Sequence, residues 1–259
     1  MCIVDDDNWL NPDYLQLGYE LLRANLKIGI LGGRNVGAFE VPEPAWFEDF
    51  KGAYAVGEPI MAVTGLSKPS AVGPVEGVLW GAGLFVRHSV WRQLRELNFE
   101  SLFTGRVGEK QLTAGEDDEL CYAARLLGYE VWYDQRLMLT HFMTAGRLKT
   151  DYLKKLFYDS ALAYSRLSAY QRVLTDPAGT YQRPLPWVKD LLYMTKGLVQ
   201  SSLSPSNWRA VMQQDQNRLL QFGRQLRVVL NFVNNFNSAQ ADYRRVAAFY
   251  ARAKAYLQS

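Results

Sequence analysis

The sequence predicts an α/β fold: a mixed sheet with flanking helices, followed by a helical C-terminal appendage. Three observations predict it. In residues 1–146, short apolar runs closed by glycine alternate with helix-period segments, the pattern of strand–helix–strand units. Beyond about Gly146 the strand-like runs stop and three long helical patterns follow. The charge reverses at the same place. Residues 1–146 hold 12 Lys+Arg against 20 Asp+Glu, a net of −8, and residues 147–259 hold 17 against 6, a net of +11. The chain therefore divides into a first domain over 1–148 and a basic α-helical region over 149–259.

Each element follows from its own residues. Cys2, Ile3 and Val4 read as a short apolar strand that runs out into Asp5, Asp6, Asp7 and Asn8. Pro12 stands near the first position of a helix opened by Asn11, with Tyr14, Leu17, Leu21 and Leu22 at helical spacing. Ile28 to Leu31 is a second buried strand, closed by Gly32 and Gly33. Residues 34–76 carry five of the ten prolines and five of the chain's large aromatics (Phe39, Trp46, Phe47, Phe50, Tyr54), which predicts a long excursion of the kind that carries function. Glycines 77, 81 and 83 within the apolar run 75–86 allow close approach of backbone or ligand. A helix over 89–97 buries Val90, Leu94 and Leu97. A stronger one spans 115–128, with Leu120, Ala123, Ala124 and Leu127 at i, i+3, i+4 and i+7 and Gly128 at C′. Glu130 to Tyr133 is the next strand, and Leu137 to Phe142 follows it. The tail predicts helices near 150–172, 186–203 and 207–257, the last broken around 234–238.

Composition narrows the class. At 259 residues, 48% apolar and 21% charged, the chain has the composition of an ordinary globular protein and the length for one large domain or one domain plus an appendage. Two cysteines give no disulfide framework and fit a reducing cytosol. No signal peptide opens the sequence, and its most apolar stretch, 78–86, is too short to span a bilayer.

Two acidic clusters and a histidine carry the chemistry. Asp5, Asp6 and Asp7 at a strand end repel one another unless a cation or donors neutralise them. In a strand–turn geometry Asp5 and Asp7 face one side and Asp6 the other. Oxygen-rich sites of this kind suit Mg²⁺ or Mn²⁺. The plainer reading is an acidic turn capping the helix at Asn11. Glu116, Asp117, Asp118 and Glu119 open the strongest helix, where the macrodipole favours negative charge. A carboxylate held there can act as general base toward a hydroxyl. His141, one of only two histidines, follows a strand-like run and is able to complete a metal site or to be a structural imidazole.

The order of these segments resembles the second half of a family 2 glycosyltransferase of the GT-A fold. The matching stretches are VDDDNWLNPDYL (4–15), WGAGLFVRHSVWRQL (80–94) and GEDDELCYAARLLGYEVWYD (115–134), followed by His141. The resemblance implies a partial GT-A, Rossmann-like sheet over 1–148. It implies that Asp5 and Asp7 hold Mn²⁺ or Mg²⁺ on the diphosphate of a nucleotide-sugar donor, with Asp6 beside them and His141 as a third ligand. Asp117 matches the catalytic base, with Glu116 next to it, and Glu119 contacts the acceptor or fixes the helix. Trp80, Gly81 and Ala82 match the donor and acceptor pocket, and Arg147 a position near the diphosphate. Trp46 and Phe47 fall in an acceptor-side loop or in the core. Such enzymes begin with a strand–helix–strand unit for the donor's base and ribose, which does not precede Met1 here, so the sequence reads as a truncated member.

The expected function is thus an inverting transfer of sugar to a hydroxyl on a glycan or lipid-linked acceptor, in cell-surface polysaccharide or glycan synthesis. The expected location is cytoplasmic, peripheral at the inner face of the plasma membrane. The alternatives are a non-catalytic remnant that binds a sugar or a partner, and a metal-dependent phosphate-transfer enzyme using the same acids. The basic, aromatic segment around Trp187, Lys189, Tyr193 and Lys196 offers either packing or contact with an anionic membrane surface. Apolar residues from Trp208 to Phe232 suit the core of a helical pair. Nucleic acid is not an expected partner, because no recognition module accompanies the charge.

Overall fold

The computed structural model describes residues 1–59, 70–73, 77–103, 115–176 and 179–258. Pro69 and Pro74 of the proline-rich excursion lie outside the described residues. The chain separates into two compact units. The first comprises Met1–Ser101, Glu116–Lys149 and Phe249–Ser259, and the second Leu102–Gly115 and Thr150–Ala248. Residues 249–259, which the sequence alone assigns to the tail, therefore belong with the first unit.

The first unit is a mixed sheet with helices. Its elements are β1 (Asn8–Leu10), α1 (Tyr14–Ala24), β2 (Ile28–Phe39), α2 (Phe47–Phe50), β3 (Ser70–Ala71), β4 (Phe85–Val86), α3 (His88–Glu96), α4 (Glu116–Leu126) and β5 (Glu130–Met143). A 3₁₀ turn at Lys51–Tyr54 follows α2. The strand order is β1-β5-β2-β4, with β3 also on β5. Among the described residues, β2 and β5 pair in parallel and the other strand pairs are antiparallel.

The first strand lies elsewhere than expected. Cys2 makes only an isolated antiparallel bridge to Phe85, supported by Ile3 N–H on Leu84 O at 2.8 Å and Val86 N–H on Met1 O at 2.8 Å. The acids then turn the chain, Asn8 N–H bonding Asp5 O at 3.1 Å, and the named strand β1 begins after them. A turn in place of a strand end abolishes the alternation expected for Asp5, Asp6 and Asp7.

β2 and β5 are both longer than their apolar runs. Gly32 and Gly33 do not end β2, because β5 supplies its backbone partners: Gly32 faces Tyr133, and from Arg34 to Phe39 the strand pairs with Met138 to Met143. Between these stretches β5 bulges. Asp134, almost fully buried, accepts the Arg136 N–H at 2.9 Å and pairs with its guanidinium at 2.6 Å, which closes the extra residues into a tight loop. Leu137 then lies directly over Gly33, where a Cβ would be 1.9 Å from the Leu137 carbonyl oxygen. Glycine is what lets the two strands continue through the bulge.

Tyr14, Ile28, Leu31, Phe85, Leu137 and Leu139 form the core on which α1 packs. Tyr14 crosses it to donate its hydroxyl to Gly83 O at 2.7 Å. Gly83 takes a left-handed φ of +74°, and a Cβ there would meet the Tyr14 hydroxyl at 2.3 Å, so the 81–83 turn requires glycine on both counts. Arg87 ties α1 to this core by donating to the carbonyls of Ile28, Leu22 and Asn25 at 2.6, 2.6 and 2.8 Å. The face expected to bury α4 is widened: Cys121 and Tyr122 are buried along with Leu120, Ala123 and Ala124. At the chain's end, Phe249 packs edge-on against Phe99 with centroids 4.9 Å apart, and Arg252 donates to Leu97 O at 2.9 Å.

The second unit is helical: α5 (Thr150–Thr175), α6 (Trp187–Leu203), α7 (Pro205–Met212), α8 (Gln216–Asn234) and most of α9 (Phe236–Gln258). Buried or half-buried polar ties help hold it, two of them built on aspartates. Arg166 forks onto the buried Asp242 with two contacts of 2.8 Å. Arg172 and the Tyr243 hydroxyl both bond Asp190, and Ser168 lies 3.0 Å from the same hydroxyl. Burial pushes the Tyr243 hydroxyl strongly up and Asp190 adds to it, so this tyrosine stays a neutral donor. Of the apolar residues expected in the helical core, Leu220 and Phe232 are buried, whereas Trp208, Val211, Phe222, Leu226 and Leu230 are exposed. Among the described residues no helix is long and apolar enough to cross a membrane.

Candidate active site

Two centres in the first unit gather most of the candidate residues. The first is the head of α4. Asp117 Oδ2 accepts the Gly81 N–H at 2.8 Å, and Oδ1 accepts the Asp118 N–H at 3.0 Å. The residue is half-buried. Burial pushes this carboxyl above the ordinary carboxylate range. The two backbone hydrogen bonds oppose the rise, and the negative charge of Asp5 adds to it. Asp5 thus acts electrostatically on Asp117.

The second centre is built by the register of β1 on β5, which sets Asn8 opposite His141. Phe142 N–H bonds Asp7 O at 2.8 Å and fixes the aspartate beside that pair. The Asp7 carboxylate receives Arg147 Nη1 at 2.8 Å and the Asn8 amide at 2.5 Å, and lies 3.6 Å from His141 Nε2. Arg147 Nη1 is also 3.3 Å from that nitrogen. Burial holds the His141 imidazole below its ordinary pKa and Arg147 lowers it further, against the opposing pull of Asp7 and the carbonyls of Ala55 and Tyr54. The ring sets Nε2 beside both Asp7 and Arg147, and imidazole in its neutral form can act as an acceptor there.

A cleft of about 330 Å³ opens beside this centre, lined by Asp6, Asp7, Trp9, Phe142, Thr144 and Arg147. Trp9 is 54% exposed and stacks on Phe142 with centroids 5.5 Å apart, which leaves an indole face at the cleft. Sequence reasoning missed Trp9, Phe142 and Thr144. The available signal was a tryptophan close after an acidic turn, an aromatic face beside groups able to meet polar ligands.

The other candidates fall as follows. Glu116 is exposed on the first turn of α4, and Trp80 is half-buried. Gly81 serves through its N–H, while Ala82 packs on the Tyr14 core. Glu119 is buried and accepts the Ser101 hydroxyl, so it fixes the helix. Phe47 is buried among Phe39, Trp46 and Tyr54, and half-buried Trp46 caps that cluster. Of the three expected metal ligands, Asp7 and His141 are brought together, and Asp5 does not join them in that contact.

No group of three His, Cys, Asp or Glu side chains converges among the described residues. Asp7 and His141 nevertheless present an oxygen and a nitrogen to one point, now approached by the Arg147 guanidinium. Mg²⁺ and Mn²⁺ sites commonly take one or two protein ligands and complete their shell from phosphate and water. Asp7 and His141 are the two side chains here that could hold such an ion, on the side where the Arg147 guanidinium now pairs with Asp7. Comparison with known proteins gives no match: no family model, no curated protein and no solved structure is recognisably similar to the chain.

Proposed function

We propose that the chain is an inverting glycosyltransferase domain of the GT-A type, resembling family 2, that moves a sugar from a nucleotide-diphosphate donor to a hydroxyl of a glycan or lipid-linked acceptor. The observation that carries this reading is Asp117: a half-buried carboxylate at the head of a helix, oriented by the Gly81 and Asp118 N–H groups and raised in basicity by burial and, less, by the charge of Asp5. Its neighbour in the same unit is an Asp7, His141 and Arg147 cluster beside a cleft with an exposed indole.

In this reading Asp117 removes the proton from the acceptor hydroxyl as that oxygen attacks the anomeric carbon, and raised basicity suits the task at neutral pH. Gly81 and Asp118 hold the carboxylate in one orientation, so no reorganisation is needed at the moment of attack. Arg147 offers the departing diphosphate a guanidinium, which Asp7 holds at the cleft that Asp6 also lines. Asp7 and His141 would hold Mn²⁺ or Mg²⁺, which when bound neutralises charge on the leaving group. The Trp9 face stacks a sugar ring or base. A single displacement inverts the anomeric carbon.

Replacing Arg147 by Gln removes one charge-assisted contact to phosphate. Nucleoside-diphosphate affinity is expected to fall about tenfold to a hundredfold, read by calorimetry. The reading as a whole is tested by incubating the chain with nucleotide-sugars, Mn²⁺ and simple glycoside acceptors, and following the anomeric proton by NMR. Metal-stimulated release of nucleoside diphosphate with an inverted product supports it. Hydrolysis of phosphate esters without preference for a sugar supports phosphate transfer instead. No turnover by folded chain supports a binding remnant.

A further inference from the structure

In the second unit, α6 is held by its polar side and turned outward by its apolar side. Asp190 bonds Arg172 and Tyr243, and Trp187 Nε1 donates to Gln240 Oε1 at 2.9 Å. None of its 17 residues is buried. Its exposed positions are 189, 192, 193, 196, 199, 200 and 203, spaced at 3, 4, 7, 10, 11 and 14 residues from the first, which is one continuous helical face. That face reads Lys, Leu, Tyr, Lys, Val, Gln, Leu. Leu185 before it is 56% exposed, and on α7 Trp208, Val211 and Met212 are 61%, 48% and 84% exposed beside Arg209. From Leu185 to Gln214 the only acid is Asp190, which is committed to Arg172 and Tyr243.

We propose that the outward face of α6 and α7 seats the chain on an anionic lipid surface. Four features of the face select that partner. It is apolar at helical spacing, basic at Lys189, Lys196 and Arg209, aromatic at Tyr193 and Trp208, and free of exposed acids, which is the chemistry of a helix lying in the headgroup region. Its length and charge keep it in the interface, since no described helix is able to span a bilayer. A second copy of the chain is a poor occupant, because it would set like charges against each other in a unit where Thr150–Ala248 holds 13 Lys+Arg against 6 Asp+Glu. The seat is independent of the catalytic reading, and it gives that reading a reason to meet lipid-linked acceptors.

Flotation of the full chain with phosphatidylcholine vesicles, with and without phosphatidylglycerol, tests the seat without any assay of activity. Binding is expected to vesicles containing phosphatidylglycerol, to weaken with salt, and to be absent from pure phosphatidylcholine. Leu192→Glu with Leu203→Glu should abolish it while circular dichroism is unchanged, because both side chains are solvent-exposed. Lys196→Gln and Arg209→Gln should each weaken it about fivefold. Failure to float with anionic vesicles at low salt overturns the proposal. So does binding that survives the two glutamates, or a concentration-dependent dimer in sedimentation that the same glutamates dissolve.

Discussion

Asp117→Asn is expected to lower kcat by about 10²–10⁴-fold with donor affinity and fold retained. Asn keeps the shape of the side chain and an oxygen for the Gly81 N–H, so what is lost is the basic oxygen itself. The pH profile carries an independent signature. A base works only when deprotonated, and burial together with Asp5 holds this carboxyl above its ordinary range. The acid limb of kcat/KM is therefore expected above the value of about 3.9 usual for aspartate. Asp5→Asn removes a charge that pushes the pKa up and should move that limb down. The linkage sign is also defined. A carboxyl raised in the folded state favours folding below its unfolded pKa, and that contribution disappears as pH rises through the folded value. The ionised form of this carboxyl is thus held at some cost to stability.

Gly33→Ala is expected to destabilise the first unit by about 3 kcal/mol. The new Cβ would fall 1.9 Å from the Leu137 carbonyl oxygen and 2.5 Å from its Cβ. Leu137 is fully buried and lies on the bulged part of β5, so relief requires moving a strand whose neighbouring residues Leu139 and His141 pair with β1. That movement would also shift Asp7, which depends on the same register, and activity should fall along with the urea midpoint. Gly52→Ala is the matched control: no atom lies within 4 Å of its added Cβ, and an effect within about 0.5 kcal/mol is expected.

Much of the frame is legible in the residues. The 3.6-residue period of Leu120, Ala123 and Ala124 marks α4, and the proline and apolar spacing after Asn11 mark α1. The extent of β2 and β5 is not legible, because glycine reads as a strand end unless the strand passing over it is known. Gly33 is such a case, and only Leu137 explains it. At the site, acids and histidine in order suggest one cluster, yet the turn at Asp5 to Asn8 leaves Asp7 alone of the three acids beside His141. Sequence alternation assumes a straight strand, and here the chain reverses within four residues. Arg147 enters from beyond the strand end, so its ion pair with Asp7 depends on tertiary placement alone. The outward face of α6 was legible as amphipathic, but which side faced the protein was settled by Asp190 and its partners.

The most direct measurement is calorimetric titration of nucleoside diphosphates and nucleotide-sugars into the chain, with and without Mn²⁺, repeated on Asp7→Ala. The account predicts binding that requires the metal, prefers a particular nucleotide-sugar and disappears in Asp7→Ala. Absence of binding by folded chain, or binding unchanged in that variant, would contradict it.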